Sequence, residues 1–163
     1  MEIRKGTPAD LEAIMQVVAT ARQYMRDSGN LKQWIKGYPS RELFLSDMGK
    51  GNCYVGTENG KVHGVFAMLM GPDPTYNEID GAWLNDKPYA VIHRIGSDGQ
   101  IHGFMRAAVA YTQAHVCEEI RADTHADNKN MQRTLTNNGF VYCGEIIIED
   151  GTPRSAYHLT AKQ

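Results

Sequence analysis

The residues with the most chemically suggestive spacing lie between Tyr89 and Val116. A short apolar run, Tyr89-Ala90-Val91-Ile92-His93-Arg94-Ile95, passes through Gly96-Ser97-Asp98-Gly99 into Gln100-Ile101-His102-Gly103-Phe104-Met105-Arg106, which opens a helix. A strand that feeds through a glycine turn into a helix gathers unpaired backbone N–H groups at one point, and the helix dipole adds positive potential there. Such a point binds anions, phosphates above all. The glycines follow neither the dinucleotide pattern G-x-G-x-x-G nor the G-x-x-x-x-G-K-[ST] loop, because no Lys-Ser or Lys-Thr pair follows them. An ordinary strand–turn–helix connection is the alternative.

The flanking elements can be read from periodicity. Glu2-Ile3-Arg4-Lys5 suits a short strand. Thr7-Pro8-Ala9-Asp10 starts a helix running from about Pro8 to Asp27, with Thr as cap, Pro at the first position and Leu11, Ile14, Met15, Val18 and Met25 at helical spacing. Asp27-Ser28-Gly29-Asn30 ends it. A loop with Trp34, Tyr38 and Pro39 leads to a second cap at Ser40, and Leu43, Phe44 and Met48 give that helix a buried side. From Cys53 to Met70 the period is two, with Asn59-Gly60 as a hairpin turn. Gly71-Pro72-Asp73-Pro74 stops the second strand, and a loop with Tyr76, Glu78, Asp80 and Trp83 runs to Tyr89. After the central strand and helix, Glu119–Thr124 predicts a strand. A helix opening near Asn128 ends at Asn138-Gly139, and Phe140–Ile148 and Arg154–Leu159 form a hairpin around Glu149-Asp150-Gly151-Thr152. The strand–helix–strand crossover at 89–124 is long enough for a parallel pair, so an α/β fold with a central mixed sheet and helices on both faces is expected.

Composition sets limits. The 163 residues, 42% hydrophobic and 22% charged, suit one domain over 1–163 with a sizeable core. Cys53, Cys117 and Cys143 are odd in number and widely spaced, as in a reduced intracellular protein. Met1-Glu2-Ile3-Arg4-Lys5 is not a signal peptide, and no apolar run approaches a membrane span, so cytoplasmic location is the expectation. A net charge of −2 and the lack of a basic, aromatic-interleaved patch argue against nucleic acid as a partner. No zinc-ligand spacing exists, and His102, His115 and His125 are scattered, so no metal is expected.

Gln100 and Gly103 stand as in Q/R-x-x-G-x-G/A, the pyrophosphate signature of the GNAT acetyltransferase superfamily, although Met105 departs from its last Gly/Ala. Asn128-Lys129-Asn130-Met131-Gln132-Arg133-Thr134-Leu135-Thr136-Asn137-Asn138-Gly139-Phe140 resembles the superfamily's N-x-x-A-x-x-L-Y-x-x-x-G-F segment at Asn128, Gly139 and Phe140. The element order is also similar, so the resemblance covers nearly the whole chain. It implies the GNAT fold and transfer of an acetyl group from acetyl-coenzyme A, as co-substrate, to a small-molecule or peptide amine. Gln100, Ile101, His102, Gly103 and Phe104 would then hold the pyrophosphate through backbone N–H groups. Ile95 and Gly96 would lie beside the pantetheine arm, and Asn128 would bond to it. Arg133 or Arg106 would meet a phosphate, or else form a solvated helix face.

An amine acceptor must lose a proton before it attacks, so a base is needed. His93, two residues before the expected thioester position, is the first candidate; a buried structural histidine is the alternative. Glu78 and Asp80, on the loop before the strand, are the carboxylate candidates, and Asp123 and His125 either border the far side of the cleft or serve as structural or capping groups at the strand end. Leu135 stands where the superfamily commonly has the Tyr that protonates the leaving thiolate, which leaves Tyr142, Tyr157 or water as the acid, or a reaction that needs none. Tyr38, Tyr76, Glu78, Asp80 and Trp83 would suit a cationic acceptor. Loss of the Tyr also keeps open an acyl-coenzyme A sensor without turnover. The Ile146-Ile147-Ile148 run fits either core packing or a homodimer through the C-terminal strands.

Overall fold

The computed structural model describes residues 1–31 and 33–161. Strand β1 (Glu2–Lys5) leads to a 3₁₀ turn, Pro8–Asp10, and then helix α1 (Leu11–Asp27). The first turn tightens to 3₁₀ as helix starts often do, while the Thr7 N–H donates to Asp10 Oδ2 at 2.8 Å as a capping box requires. Ser40 caps helix α2 (Arg41–Gly49) by accepting from the Leu43 N–H. Strands β2 (Cys53–Glu58) and β3 (Lys61–Met70) form the expected hairpin, with Asn59 and Gly60 at φ 53° and 78°. Both values are positive, the geometry for which Asn-Gly is favoured.

The 71–89 stretch, which carries no periodic pattern, is more structured than the sequence suggests. It holds a 3₁₀ turn at Pro74–Tyr76 and a two-residue strand β4 (Asp80–Gly81). Strand β5 (Ala90–Ser97) and helix α3 (Phe104–His115) follow, then β6 (Ile120–Thr124), helix α4 (Lys129–Asn137), β7 (Val141–Ile147) and β8 (Pro153–Leu159). The eight strands form one mixed sheet in the order β1-β2-β3-β5-β6-β8-β7-β4.

Alternate residues along the strands face opposite layers. Phe66, Ile92 and Ala122 pack with Phe104, Met105 and Leu135 of α3 and α4. Val55 and Val65 face the other way, against Ile14, Val18 and Phe44 of α1 and α2. At the β8-β7 end the latter face is covered by the 71–89 stretch, whose Tyr76 and Tyr89 pack on Val91, Ile146 and Ala156. Within the Ile146-Ile147-Ile148 run, Ile146 is buried and Ile148 packs beside it, whereas Ile147 is 57% exposed.

One break in the sheet creates the site. Strand β5 runs antiparallel to β3 and parallel to β6, but its ladder with β6 holds only Ala90↔Ile120 and Val91↔Arg121. Past Val91 the two strands separate, and the β6-facing edge of β5 loses its partner.

Candidate active site

The separation of β5 from β6 opens into a cleft of about 820 Å³. Its β5 wall is shaped by a bulge. Ala67 pairs with His93 and Val65 with Gly96, so Arg94 and Ile95 together oppose Phe66. Arg94 takes φ 51°, a left-handed value uncommon for a non-glycine residue. Two ion-pair contacts hold it there: Nε and Nη2 donate to Asp47 Oδ2 and Oδ1 at 3.0 and 2.9 Å, and Asp47, on α2, is only 4% exposed. The extra residue turns His93 and Arg94 toward the α2 and 71–89 side while Ile92 and Ile95 pack toward α3 and α4.

At one end of the cleft lies the start of α3. Gly103 caps it at φ 75°, and a Cβ there would meet nothing within 4 Å, so its need for glycine is conformational and the space before it is open. No side chain caps the first turn. The Gln100 N–H is already donated to Asp98 Oδ1 at 3.0 Å, and Asp98 Oδ2 lies 2.8 Å from His63 Nδ1 on β3. The N–H groups from Ile101 to Phe104 have no partner among the described residues. The loop is therefore a braced donor array whose free groups begin one residue later than the motif suggests.

At the other end a polar cluster surrounds Tyr76. His93 Nε2 lies 3.0 Å from Asp73 Oδ2, and Asp73 Oδ1 accepts from the Thr75 N–H and hydroxyl. The His93 contact, with those from Thr75, holds the Asp73 carboxyl down to about 2 although burial opposes it. Tyr76 donates its hydroxyl to Asp123 Oδ2 at 2.6 Å, and its ring lies 6.2 Å from that of His93. Burial, followed by the charge of Asp123, pushes the Tyr76 phenol well above its ordinary range, so it stays a donor.

The α1–α2 loop supplies the remaining wall. Trp34 is buried over Gly96, where a Cβ would meet its ring at 2.8 Å, and Arg22 of α1 donates to the Trp34 and Tyr38 carbonyls. Gln33 Oε1 then reaches across the cleft to accept from Asn128 Nδ2 at 3.2 Å. The arrangement combines a backbone anion site, an unpaired strand edge and a histidine–aspartate pair in one cleft.

Among solved structures, the chain is similar to an acetyltransferase of the GNAT family from Streptococcus agalactiae 2603, at 31% identity and a TM-score of 0.89, over 99% of this chain and 96% of that one. The chain belongs to the GNAT acetyltransferase family. An N-acetyltransferase from Staphylococcus aureus Mu50 (TM-score 0.62, 18% identity, 99% and 98% coverage) shares the GNAT fold. So does GphF, a GNAT-like decarboxylase in complex with isobutyryl-CoA (TM-score 0.65, 13% identity, 99% and 100% coverage). No protein-family model and no curated protein matches the chain.

In this GNAT chain the cleft brings together His93, Ile95 and Asn128, with Asp123, Met105 and Leu135. Gly96 and Gln100 to Phe104 adjoin it through β5 and the start of α3. Glu78 and Tyr142 are not brought in: both are exposed, neither lines the cleft, and Tyr142 packs edge-on to Tyr157 of the neighbouring strand β8. Asp80 pairs in β4 with Glu145 of β7, and Arg106 and Arg133 are exposed helix residues outside the cleft lining. Asn128 caps α4 through Oδ1, which accepts from the Met131 N–H at 3.0 Å, and so already has protein partners on both amide atoms. Sequence reading missed Asp73, Gln33 and the Asp47–Arg94 pair. For Asp73 a local signal existed: Asp73-Pro74-Thr75 is an aspartate-capped turn. No helix among the described residues is long and apolar enough to cross a membrane.

Proposed function

We propose that this GNAT chain is an acetyl-coenzyme A-dependent N-acetyltransferase in which a primary amine attacks the thioester directly. The observation that carries the reading is the unpaired edge of β5 beyond Val91 leading to the uncapped start of α3. The N–H groups from Ile101 to Phe104 and the space before Gly103 suit a pyrophosphate, and the open strand edge at Ile95 and Gly96 suits the amide-bearing pantetheine arm. Acetyl-coenzyme A, when bound, supplies the acyl thioester.

The chain's own residues do the rest. His93 accepts the proton of the incoming ammonium at the ring nitrogen not engaged by Asp73, and ionised Asp73 stabilises the resulting imidazolium. A main-chain N–H beside Ile95, aimed by the Arg94 bulge, meets the carbonyl oxygen as negative charge develops on it. As the C–N bond forms, the C–S bond breaks and the second proton of the amine nitrogen passes through water to the thiolate, because apolar Leu135 occupies the wall where a phenol would serve. Glu78 and Tyr142 have no part in this mechanism.

Buried Leu135 also supports a second reading, binding of an acyl-coenzyme A without turnover. Calorimetric titration with acetyl-coenzyme A, beside a Gly103→Trp variant checked for folding by thermal unfolding, tests the cofactor assignment. Binding by the parent and loss by the folded variant are expected. Thiol release across a panel of amines separates the enzyme from the sensor; its absence despite tight binding would leave the sensor.

A further inference from the structure

Asp123, next to last on β6, has one carboxylate oxygen held and one free. Tyr76, itself 2% exposed, donates to Oδ2 at 2.6 Å, while Oδ1 has no hydrogen-bond partner among the described residues. No Lys or Arg pairs with Asp123 among those residues. Of the two guanidinium groups that line the cleft, Arg94 is committed through two bonds to Asp47 and Arg154 is turned to the Thr152 hydroxyl and the Pro153 carbonyl; Lys36, which also lines it, makes no ion pair with Asp123. A carboxylate lining a cleft with an unmatched charge and a fixed orientation is a receptor for a cation.

Its surroundings narrow the choice. Tyr76 ties Asp123 to the His93 side of the cleft, since the Tyr76 ring neighbours the His93 ring. Gln33 touches Thr124, the residue after Asp123, at 3.5 Å, which brings the α1–α2 loop to the same place. That loop and the start of α2 line the cleft with Trp34, Ile35, Tyr38 and Leu43, and Ile35 and Tyr38 remain 42% and 43% exposed. Asp73, Glu149 and Asp150 also line the cleft, with Lys36 and Arg154 among them, so the lining as a whole carries both signs. A carboxylate attached beside the acceptor's amine would be brought against Asp123 itself and be repelled, while the apolar loop would welcome a hydrocarbon body.

We infer that the acceptor is a cationic primary amine on an apolar body with no carboxylate next to the amine, and that Asp123, oriented by Tyr76, is the residue that selects it. The inference rests on the transferase reading for its place in the reaction, but not for binding. Isoamylamine and leucine share side chain and amine and differ by one carboxylate, so they form the test pair.

Each is titrated calorimetrically into the coenzyme A-loaded protein and into the Asp123→Asn variant, with thermal unfolding to confirm that the variant is folded. The parent is expected to bind isoamylamine at least about ten times more tightly than leucine. The variant is expected to narrow that ratio to about threefold or less, with coenzyme A affinity unchanged. Equal binding of the two by the parent, or an unchanged ratio in the variant, overturns the inference. Thiol release from acetyl-coenzyme A is read in parallel: selective binding without release keeps the amine site and sinks the transferase reading, whereas release without selectivity does the reverse.

Discussion

Two histidine–carboxylate pairs in this molecule have the same contact distance and opposite prospects. His93 Nε2 lies 3.0 Å from Asp73 in the cleft, and His158 Nε2 lies 3.0 Å from Glu119 under the 71–89 stretch. Both carboxyls are held at about 2. The difference is spare capacity. His158 is fully buried, and its other nitrogen accepts from the Leu84 N–H. Glu119 is saturated as well: burial opposes its ionisation, but the Ala161 N–H, Asn85 amide, Thr160 hydroxyl and His158 together keep it charged. A proton there has no route to a reactant. The His93 side chain keeps 24% of its surface, and its Nδ1 has no partner among the described residues. Distance alone does not mark a catalytic pair; an open site on the ring and a path to a ligand do.

Breaking each pair in turn sharpens the contrast. His93→Ala is expected to slow acetyl transfer by about 10²–10⁴-fold, measured as thiol release, with a smaller drop in the thermal midpoint than His158→Ala gives. An unaltered rate and pH profile would remove His93 as the base. His158→Ala is expected to do the opposite. It leaves Glu119 buried without one of its donors and opens a cavity beneath Trp83, whose ring meets that of His158 edge-on. A loss of about 3–5 kcal/mol in denaturant unfolding is expected, with the amine and cofactor affinities of the folded fraction retained. If His158→Ala kept full stability, the sealed pair would be no staple.

The same contrast explains what was legible in the sequence. Elements declared by local rules were readable: the Asn59-Gly60 hairpin, the Ser40 cap, the Gly139 stop and the glycine at the start of α3 depend on residues within a turn of each other. The proposed cofactor half is built from such backbone groups, so its motif survives in one stretch. The proposed acceptor half is built from side chains that meet only through the sheet. Tyr76 reaches Asp123 across 47 positions and Arg94 reaches Asp47 across the same number, with no periodicity to announce either. Glu78 shows the cost of reading such a loop by proximity in sequence. It lies five residues from Asp73, yet Asp73 faces the cleft and Glu78 is exposed outside it. The bulge at Arg94 was equally silent, because it arises from the pairing of β5 with β3 rather than from any residue that demands it.

Asp73 offers a finer cut within the catalytic pair. In the proposed mechanism it orients the His93 ring and stabilises the imidazolium without meeting the reacting amine, the part of a positioning residue. Asp73→Asn keeps the Thr75 hydrogen bonds within reach while removing the charge. A fall of about 5–30-fold in kcat is expected, smaller than for His93→Ala, with the KM for the amine nearly unchanged. A change carried by KM with kcat unaltered would mean that Asp73 acts only as scaffold.

The smallest effect separates the pairs by pH. Burial, against the pull of Glu119, lowers the His158 imidazole below its ordinary 6.5, so below that pH the unfolded chain binds a proton that the folded chain resists. Stability contributed by neutral His158 is therefore complete above about 6.5 and declines as pH falls through it. Asp73 and Glu119, at about 2 against ordinary values of 3.8 and 4.5, contribute stability that is complete above those values and lost as pH falls toward 2. Two limbs follow in a titration of unfolding free energy, a shallow one starting near 6.5 and a steeper one starting near 4.5. His158→Ala should erase the shallow limb and His93→Ala should leave it in place. A shallow limb that instead vanished with His93→Ala would move the proton-linked stability from the sealed pair to the open one, and the distinction drawn between them would fail.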